Sequence, residues 1–410
     1  MDILQDVDVV IKNAIRAASP DRAVTNALKR LPNHNGKTVL VAVGKAAWQM
    51  AATTYKTLGD RISEGIVVTK RGYAQGPIGP LVVVEAGHPI PDENSYAAAD
   101  KAIKIVEPLT DQDLVLFLVS GGGSALFEKT VISDEDNRGI TRQLRACGAN
   151  IVEINTLRKR LSAVKGGKFA KKCAPAKVFS IVLSDVVGDS LDMIASGPAY
   201  PDASTCEQAL DIVQRYNLSL SKDALRLLNV ETPKVLEGVE THITGSVREL
   251  CLSAKQTCKE LGYEPLILTD RLCCEAREAG SFLASIARFH AEDSRSLAFI
   301  AGGETIVRLT GNGLGGRNQE IALSAALGIS GVRDCAVFSV GSDGTDGPTD
   351  AAGAVCTGES AKKLERLGVD VYQTLRDNDS YHALKKIGSL IFTGPTGTNV
   401  NDLSCVLVKR

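Results

Sequence analysis

The sequence predicts an α/β protein of two domains, the first of them built on a doubly wound parallel sheet. Three observations carry that prediction. Short β-branched runs alternate with stretches of helical periodicity along most of the chain, the pattern of strands buried on both faces by crossover helices. Two glycine-dense turns, Ser120-Gly-Gly-Gly-Ser124 and Gly311-Asn-Gly-Leu-Gly-Gly316, each follow an apolar run and precede a plausible helix. A turn-rich break at Glu231-Thr-Pro-Lys234 separates two alternating halves, and 410 residues suffice for two domains of ordinary size. The expected domains are therefore 1–233 and 234–410.

In the first half the strand signals fall at 38–43, 65–69, 81–85, 114–119 and 177–183, and helical patterns cover 45–57, 93–106, 135–147, 152–163 and 205–216. In such sheets ligands bind beyond the carboxyl ends of the strands. The polar signatures sit there: Gly44-Lys45 after the first strand, His88-Pro-Ile-Pro-Asp92 after the third, Ser120–Ser124 after the fourth and Ser184-Asp185 after the fifth. The second half runs as helix 247–261, strand 264–269, helix 275–290, strand 297–301, glycine turn, helix 318–327 and strand 335–340. An Asp-rich loop at 343–350, a helix from 359 and a last strand after Asp402 follow.

Composition narrows the function. A hydrophobic share of 44% with 23% charged residues is that of a soluble globular enzyme. A net charge of -1 argues against nucleic-acid or anionic-membrane partners, which call for a basic surface. No apolar stretch is long enough to span a bilayer. The acidic start, Met1-Asp-Ile-Leu-Gln-Asp-Val-Asp8, resembles neither a secretory signal nor a transit peptide, so the expected location is cytoplasmic. The ten cysteines include no Cys-x-x-Cys pair and read as reduced, mostly buried thiols.

The turns carry the chemistry. Glycine lets a backbone turn with positive φ and brings N–H groups close to a ligand, and a strand feeding a helix N-terminus is an anion site. Two such turns suggest a large, multiply charged ligand. Lys45 and Arg317 each lie at an expected helix start, where a cation opposes the helix dipole unless an anion is near. A second basic run, Arg158-Lys-Arg160 with Lys165-Gly-Gly-Lys168, offers further phosphate contacts or a solvated helix face. Neither Gly-Lys pair completes a P-loop. Asp185 and Asp189 stand at the mouth of a strand, where an ionised carboxylate holds a divalent cation or orients a hydroxyl. Asp343, Asp346 and Asp350 fall within eight residues; they also read as turn formers bonding their own backbone.

The motifs then become specific. They are Val43-Gly-Lys-Ala-Ala47, Val119–Leu126, Asn155–Gly167, Ser184-Asp185 with Gly188-Asp189 and Ile194–Pro198, Gly302-Gly-Glu-Thr305, Gly313–Glu320, Gly344–Gly353 and Gly394–Leu403. In this order the chain resembles the class II glycerate kinases, which carry a MOFRL domain. The resemblance implies a Rossmann-like N-terminal domain, a MOFRL-type C-terminal α/β domain and an active site in the interdomain cleft. It implies ATP and D-glycerate as substrates, Mg²⁺ as cofactor, and 2-phosphoglycerate as the favoured product, with a homo-oligomeric state left open. By residue it implies Lys45, Asp185, Asp189 and Arg317 as catalytic and Asp189 as the metal ligand. Lys45, Arg317, Asn318 and Asp346 would bind substrate. Ser120, Gly121, Gly122, Gly123, Ser124, Glu304, Gly313, Gly315 and Gly316 would bind nucleotide and phosphate. Two positions depart from the pattern: Ala301 stands where serine is expected, and Ile306 where threonine would offer a hydroxyl to phosphate.

A rival reading rests on Gly311–Gly316 as a dinucleotide fingerprint, with Asp343 as the ribose-binding acid after strand 335–340. That would make the chain an NAD(P)-dependent hydroxypyruvate reductase. A non-catalytic binder of anionic metabolites is the third reading. The acidic loop argues against the reductase, because it would crowd a dinucleotide with like charge.

Overall fold

A computed structural model describes residues 2–184, 186, 188 and 190–410. These form two compact units, residues 24–244 and residues 1–23 together with 245–410.

The 24–244 unit is built on β1 (Thr38–Val43), β2 (Ile62–Lys70), β3 (Leu81–Ala86), β4 (Leu114–Val119), β5 (Lys177–Val182) and β6 (Val239–Ile243). Their order is β3-β2-β1-β4-β5-β6, and every pairing is parallel. The sequences of β1 and β4, TVLVAV and LVLFLV, are apolar on both faces because both strands are wholly buried. From β1 the chain winds outward through β2 and β3, then restarts at β4 on the other side. The loops leaving β1 and β4 therefore open a crevice at the switch point of the sheet. Beneath it Phe117, Phe127 and Phe169 pack ring to ring, with Phe127 edge-on to Phe169 at 5.1 Å. A separate helical cluster, formed by Asp134–Ala146, Ile151–Arg160, Cys206–Arg215 and Lys222–Leu228, closes on Leu144, Leu157, Ile212 and Leu228.

The second unit carries a mixed sheet of β7 (Glu264–Leu272), β8 (Leu297–Gly303), β9 (Cys335–Gly341), β10 (Gly353–Thr357), β11 (Leu390–Ile391) and β12 (Asp402–Val408). Its order is β11-β10-β9-β12-β8-β7, with β12 antiparallel to both β8 and β9. That arrangement delivers Asp402, the first residue of β12, beside the carboxyl ends of β8 and β9, opposite Gly303 and Gly341. Helix Arg317–Gly328 is buried along nearly its whole length, and correspondingly it has no polar face.

The units divide elsewhere than at 233/234. Strand β6 completes the first sheet by pairing with β5, so that unit runs on to residue 244. Helix Ile3–Ala17 belongs with the second unit. Its apolar stripe Ile3, Val7, Val10, Ile11 and Ala14 is buried, Asp6 accepts from Tyr263 Oη at 2.7 Å, and Asn13 donates to Thr257 at 3.3 Å. Local turn composition marks where a chain bends; it carries no information on which distant element a helix will cover. Among the described residues no helix is long and apolar enough to cross a membrane.

Candidate active site

The crevice of the first sheet gathers three loops. Ser120 N–H donates to Val43 O at 2.9 Å, Lys45 N–H to Gly121 O at 2.8 Å, and Ala46 N–H to Ser120 Oγ at 3.1 Å, so the turns after β1 and β4 are laced together. Gly122 has φ +84°, and a Cβ there would lie 3.0 Å from His88 Cδ2 and 3.3 Å from Lys45 Cγ. Glycine is needed on both counts. The N–H groups of Gly121 and Gly122 have no acceptor among the described residues. Lys45 is half-buried and its ammonium has no ion-pair partner among them. Burial pushes the His88 pKa down, and Lys45 and Lys70 push it further. The turns at the switch point thus bring together Lys45 and backbone donors that have no acceptor among the described residues.

The far end of this loop is fixed by side chains. Ser124 Oγ meets Ser196 Oγ at 2.9 Å, and Ser196 Oγ donates to Asn155 Oδ1 at 3.1 Å. Ala195 and Ser196 both adopt left-handed backbone, at φ 51° and 61°, a conformation unfavourable for residues with a Cβ and maintained where surrounding contacts fix it. Helix Ala47–Leu58 begins two residues after Lys45, and the helix after the triple glycine is only Gly123–Leu126. Asp185 and Asp189 lie outside the described residues.

In the second unit Arg317 opens its helix, as expected, but the anions that balance it come from the chain itself. Arg317 Nε donates to Asp402 Oδ2 at 2.5 Å and Nη2 to Asp402 Oδ1 at 3.0 Å, a bidentate fork, while Nη1 lies 3.2 Å from Glu304 Oε1. Glu304, which the resemblance places in the nucleotide and phosphate region, here pairs with Arg317 and accepts from Asn401 Nδ2 at 3.1 Å. Asp346 caps the same helix, accepting from the N–H groups of Asn318 at 3.1 Å and Gln319 at 2.9 Å and from Asn318 Nδ2 at 3.2 Å. Burial nevertheless prevails over those donors and lifts the Asp346 pKa to about 6. Burial also raises Asp402, against the pull of Arg317. Asn318 is fully buried and accepts from Ser339 Oγ at 2.5 Å.

The second glycine turn differs from the expectation that its glycines supply positive φ: Gly311, Gly313, Gly315 and Gly316 all lie outside that region. They are required for close approach instead. A Cβ on Gly311 or Gly313 would stand within 2.5 Å of Asp377, one on Gly315 2.1 Å from Ser380 Oγ, and one on Gly316 2.3 Å from Asp346 Cγ. The N–H of Gly313 is taken by Asp377 O at 2.8 Å and that of Leu314 by Asp379 Oδ1 at 3.0 Å. The Asp-rich loop is likewise used internally: Asp343 receives Thr345 N–H at 3.0 Å and Asp350 receives Tyr381 Oη at 2.7 Å. Ile306 is exposed, with its N–H on Cys274 O. Sequence reasoning gave no role to Asp402 or Asn401, although both lie in the quoted Gly394–Leu403 motif.

Residues 6–229 match the family described as "Domain of unknown function (DUF4147)", and residues 297–402 match the MOFRL family. A protein from Thermotoga maritima named D-glycerate 2-kinase is 51% identical over 97% of both chains. A protein from Agrobacterium vitis, provisionally named hydroxypyruvate reductase, is 39% identical over 96% of this chain and 92% of its own. The crystal structure of glycerate kinase from Thermotoga maritima superposes with a TM-score of 0.95 at 50% identity, covering 99% of each chain. On motif order, sequence and fold together, the chain belongs to the class II glycerate kinase family, whose members carry the MOFRL domain.

Proposed function

We propose that this chain transfers the γ-phosphoryl group of ATP to D-glycerate, giving 2-phosphoglycerate and ADP. The observation that carries the reading lies at the switch point of the sheet: Lys45 beside the N–H groups of Gly121 and Gly122, none of them with a partner among the described residues. Phosphoryl transfer asks a protein chiefly for in-line positioning and for neutralisation of phosphate charge, and this arrangement supports the second. The strand order of the 24–244 sheet supports its use as a Rossmann-like nucleotide platform.

In the reaction a glycerate hydroxyl oxygen forms a bond to the γ-phosphorus, the bond from that phosphorus to the β,γ-bridging oxygen breaks, and the hydroxyl proton is lost. We assign Asp185 to orienting that hydroxyl and taking its proton, and Asp189, which the resemblance implies as the metal ligand, to the metal. Among the described residues no group of three His, Cys, Asp or Glu is arranged to hold an ion. Mg²⁺ usually takes one or two protein oxygens and completes its shell with phosphates and water. Asn401 Oδ1, buried without a hydrogen-bond partner among the described residues, is a further oxygen of the right kind. When bound, Mg²⁺ would neutralise charge on the β- and γ-phosphates. Lys45 then meets the transferred group, and Arg317, braced by Asp402, fixes the substrate carboxylate.

The reaction product tests this assignment. Incubation with ATP, Mg²⁺ and D-glycerate is expected to give 2-phosphoglycerate by phosphorus NMR, consumed by enolase without added phosphoglycerate mutase, and excess EDTA is expected to abolish its formation. Product that enolase ignores until the mutase is added would be 3-phosphoglycerate and would overturn the regiochemistry. Full activity in EDTA would remove the metal.

A further inference from the structure

The basic run after helix residue 157 contains five cations, and four of them are bound internally. Lys159 Nζ lies 3.1 Å from Asp202 and 3.2 Å from Asp192. Arg160 donates to Ser204 Oγ and O, both at 2.8 Å, and Lys165 pairs with Glu128 at 2.6 Å. Lys168 donates to the carbonyls of Arg160 at 2.9 Å and Ser162 at 2.7 Å. Arg158 alone of the five has no acceptor among the described residues. It is half-buried. Burial pushes its pKa down and the nearby Arg145 adds to that, while Glu128 opposes them. Yet Glu128 is already committed, with Oε2 on Lys165 and Oε1 accepting from Ser162 Oγ at 2.5 Å and from Lys129 N–H at 2.9 Å.

A partly desolvated guanidinium without an acceptor is costly, and it is sustained most readily where an anion from outside completes it. The position of Arg158 supports such an anion. It lies three residues on from Asn155, which places the two as neighbours on one helix surface. Asn155 in turn holds Ser196, and Ser196 meets Ser124 at the end of the triple-glycine turn. We infer that Arg158 is a substrate-binding residue whose guanidinium receives an oxyanion of a bound substrate, either the carboxylate of the hydroxy acid or a phosphate of the nucleotide. The proposed phosphoryl transfer supplies the identity of those two anions; the need for an anion at Arg158 comes from the geometry.

Thermal shift on the full chain, with Arg158→Met and Arg158→Lys, tests this. A residue that only supports the fold would lower Tm when removed. Arg158→Met is instead expected to leave Tm without ligand unchanged or raised, and to lose the Tm increase that D-glycerate, inorganic phosphate or ATP gives the wild type. Loss with D-glycerate alone assigns the carboxylate; loss with phosphate and ATP assigns the phosphate. In kinetics the KM of the affected substrate is expected to rise at least 10-fold with a smaller change in kcat, and Arg158→Lys is expected to recover only part, since an ammonium cannot reproduce the fork. A drop in the ligand-free Tm with ligand shifts retained, unchanged KM values, or a wild type that no anion stabilises would each overturn the inference. Wild-type protein that binds anions through Arg158 but never consumes ATP would instead overturn the kinase reading and leave Arg158 standing.

Discussion

Replacing Lys45 with alanine is expected to lower kcat/KM for D-glycerate by about 10²-fold or more, the scale of a charge that clamps a transferring phosphoryl group, while leaving the fold intact. The two halves of this expectation have separate grounds. The ammonium makes no ion pair among the described residues, so its removal strands no partner. The backbone at residue 45 contributes through its N–H to Gly121 O, and alanine retains that bond. Circular dichroism and Tm close to wild type, with turnover lost, would satisfy both halves. Near-normal kinetics in the folded variant would reduce Lys45 to a surface lysine.

Arg317→Ala is expected to be the more damaging change, because it acts on stability and turnover together. Asp402 is buried and takes two donors from Arg317. Without them it becomes a buried carboxylate with no counter-charge, at a cost of roughly 3 kcal/mol, the lower end for such groups because Arg317 is itself a third exposed and Asn318 still donates to Asp402. Arg317→Lys is expected to fail as well, since a point charge replaces a planar fork. A companion variant separates the effects. Adding Asp402→Asn to Arg317→Ala removes the stranded charge, so Tm is expected to recover substantially while kcat/KM stays at least about 10²-fold down. Recovery of both would show that Arg317 serves only to hold Asp402.

The central strands were legible because burial on both faces leaves a continuous apolar run: 38–43 and 114–119 coincide with β1 and β4. Edge strands lack that signature. No residue of β6 is fully buried and its sequence VETHI mixes charge with β-branched residues, so it carries no strand signal and the boundary of the unit shifts past it. Helix Ile3–Ala17 has a clear amphipathic stripe, but nothing local says that its partner lies some 240 residues further on, at Ser253 and Thr257.

At the site, the first glycine turn behaves as its sequence suggested, with Gly122 in the left-handed region and Lys45 close by. The second has the same density of glycine for a different physical reason. Its glycines admit the backbone of Asp377 and the carboxyl of Asp346, and a one-dimensional pattern does not distinguish room for a ligand from room for the chain's own backbone. The same limit applies to charge. The expectation that Arg317 needs an anion was sound, but whether substrate or Asp402 provides it depends on β12 arriving between β8 and β9.

The most direct test of the account is a paired assay on the purified wild-type chain: ADP release with ATP, Mg²⁺ and D-glycerate, beside NADH or NADPH oxidation with hydroxypyruvate. The account predicts ADP release that depends on D-glycerate, and no reduced-nucleotide oxidation above background. Oxidation of NADH or NADPH with hydroxypyruvate, in the absence of glycerate-dependent ADP release, would contradict it and assign the chain to the reductase reading.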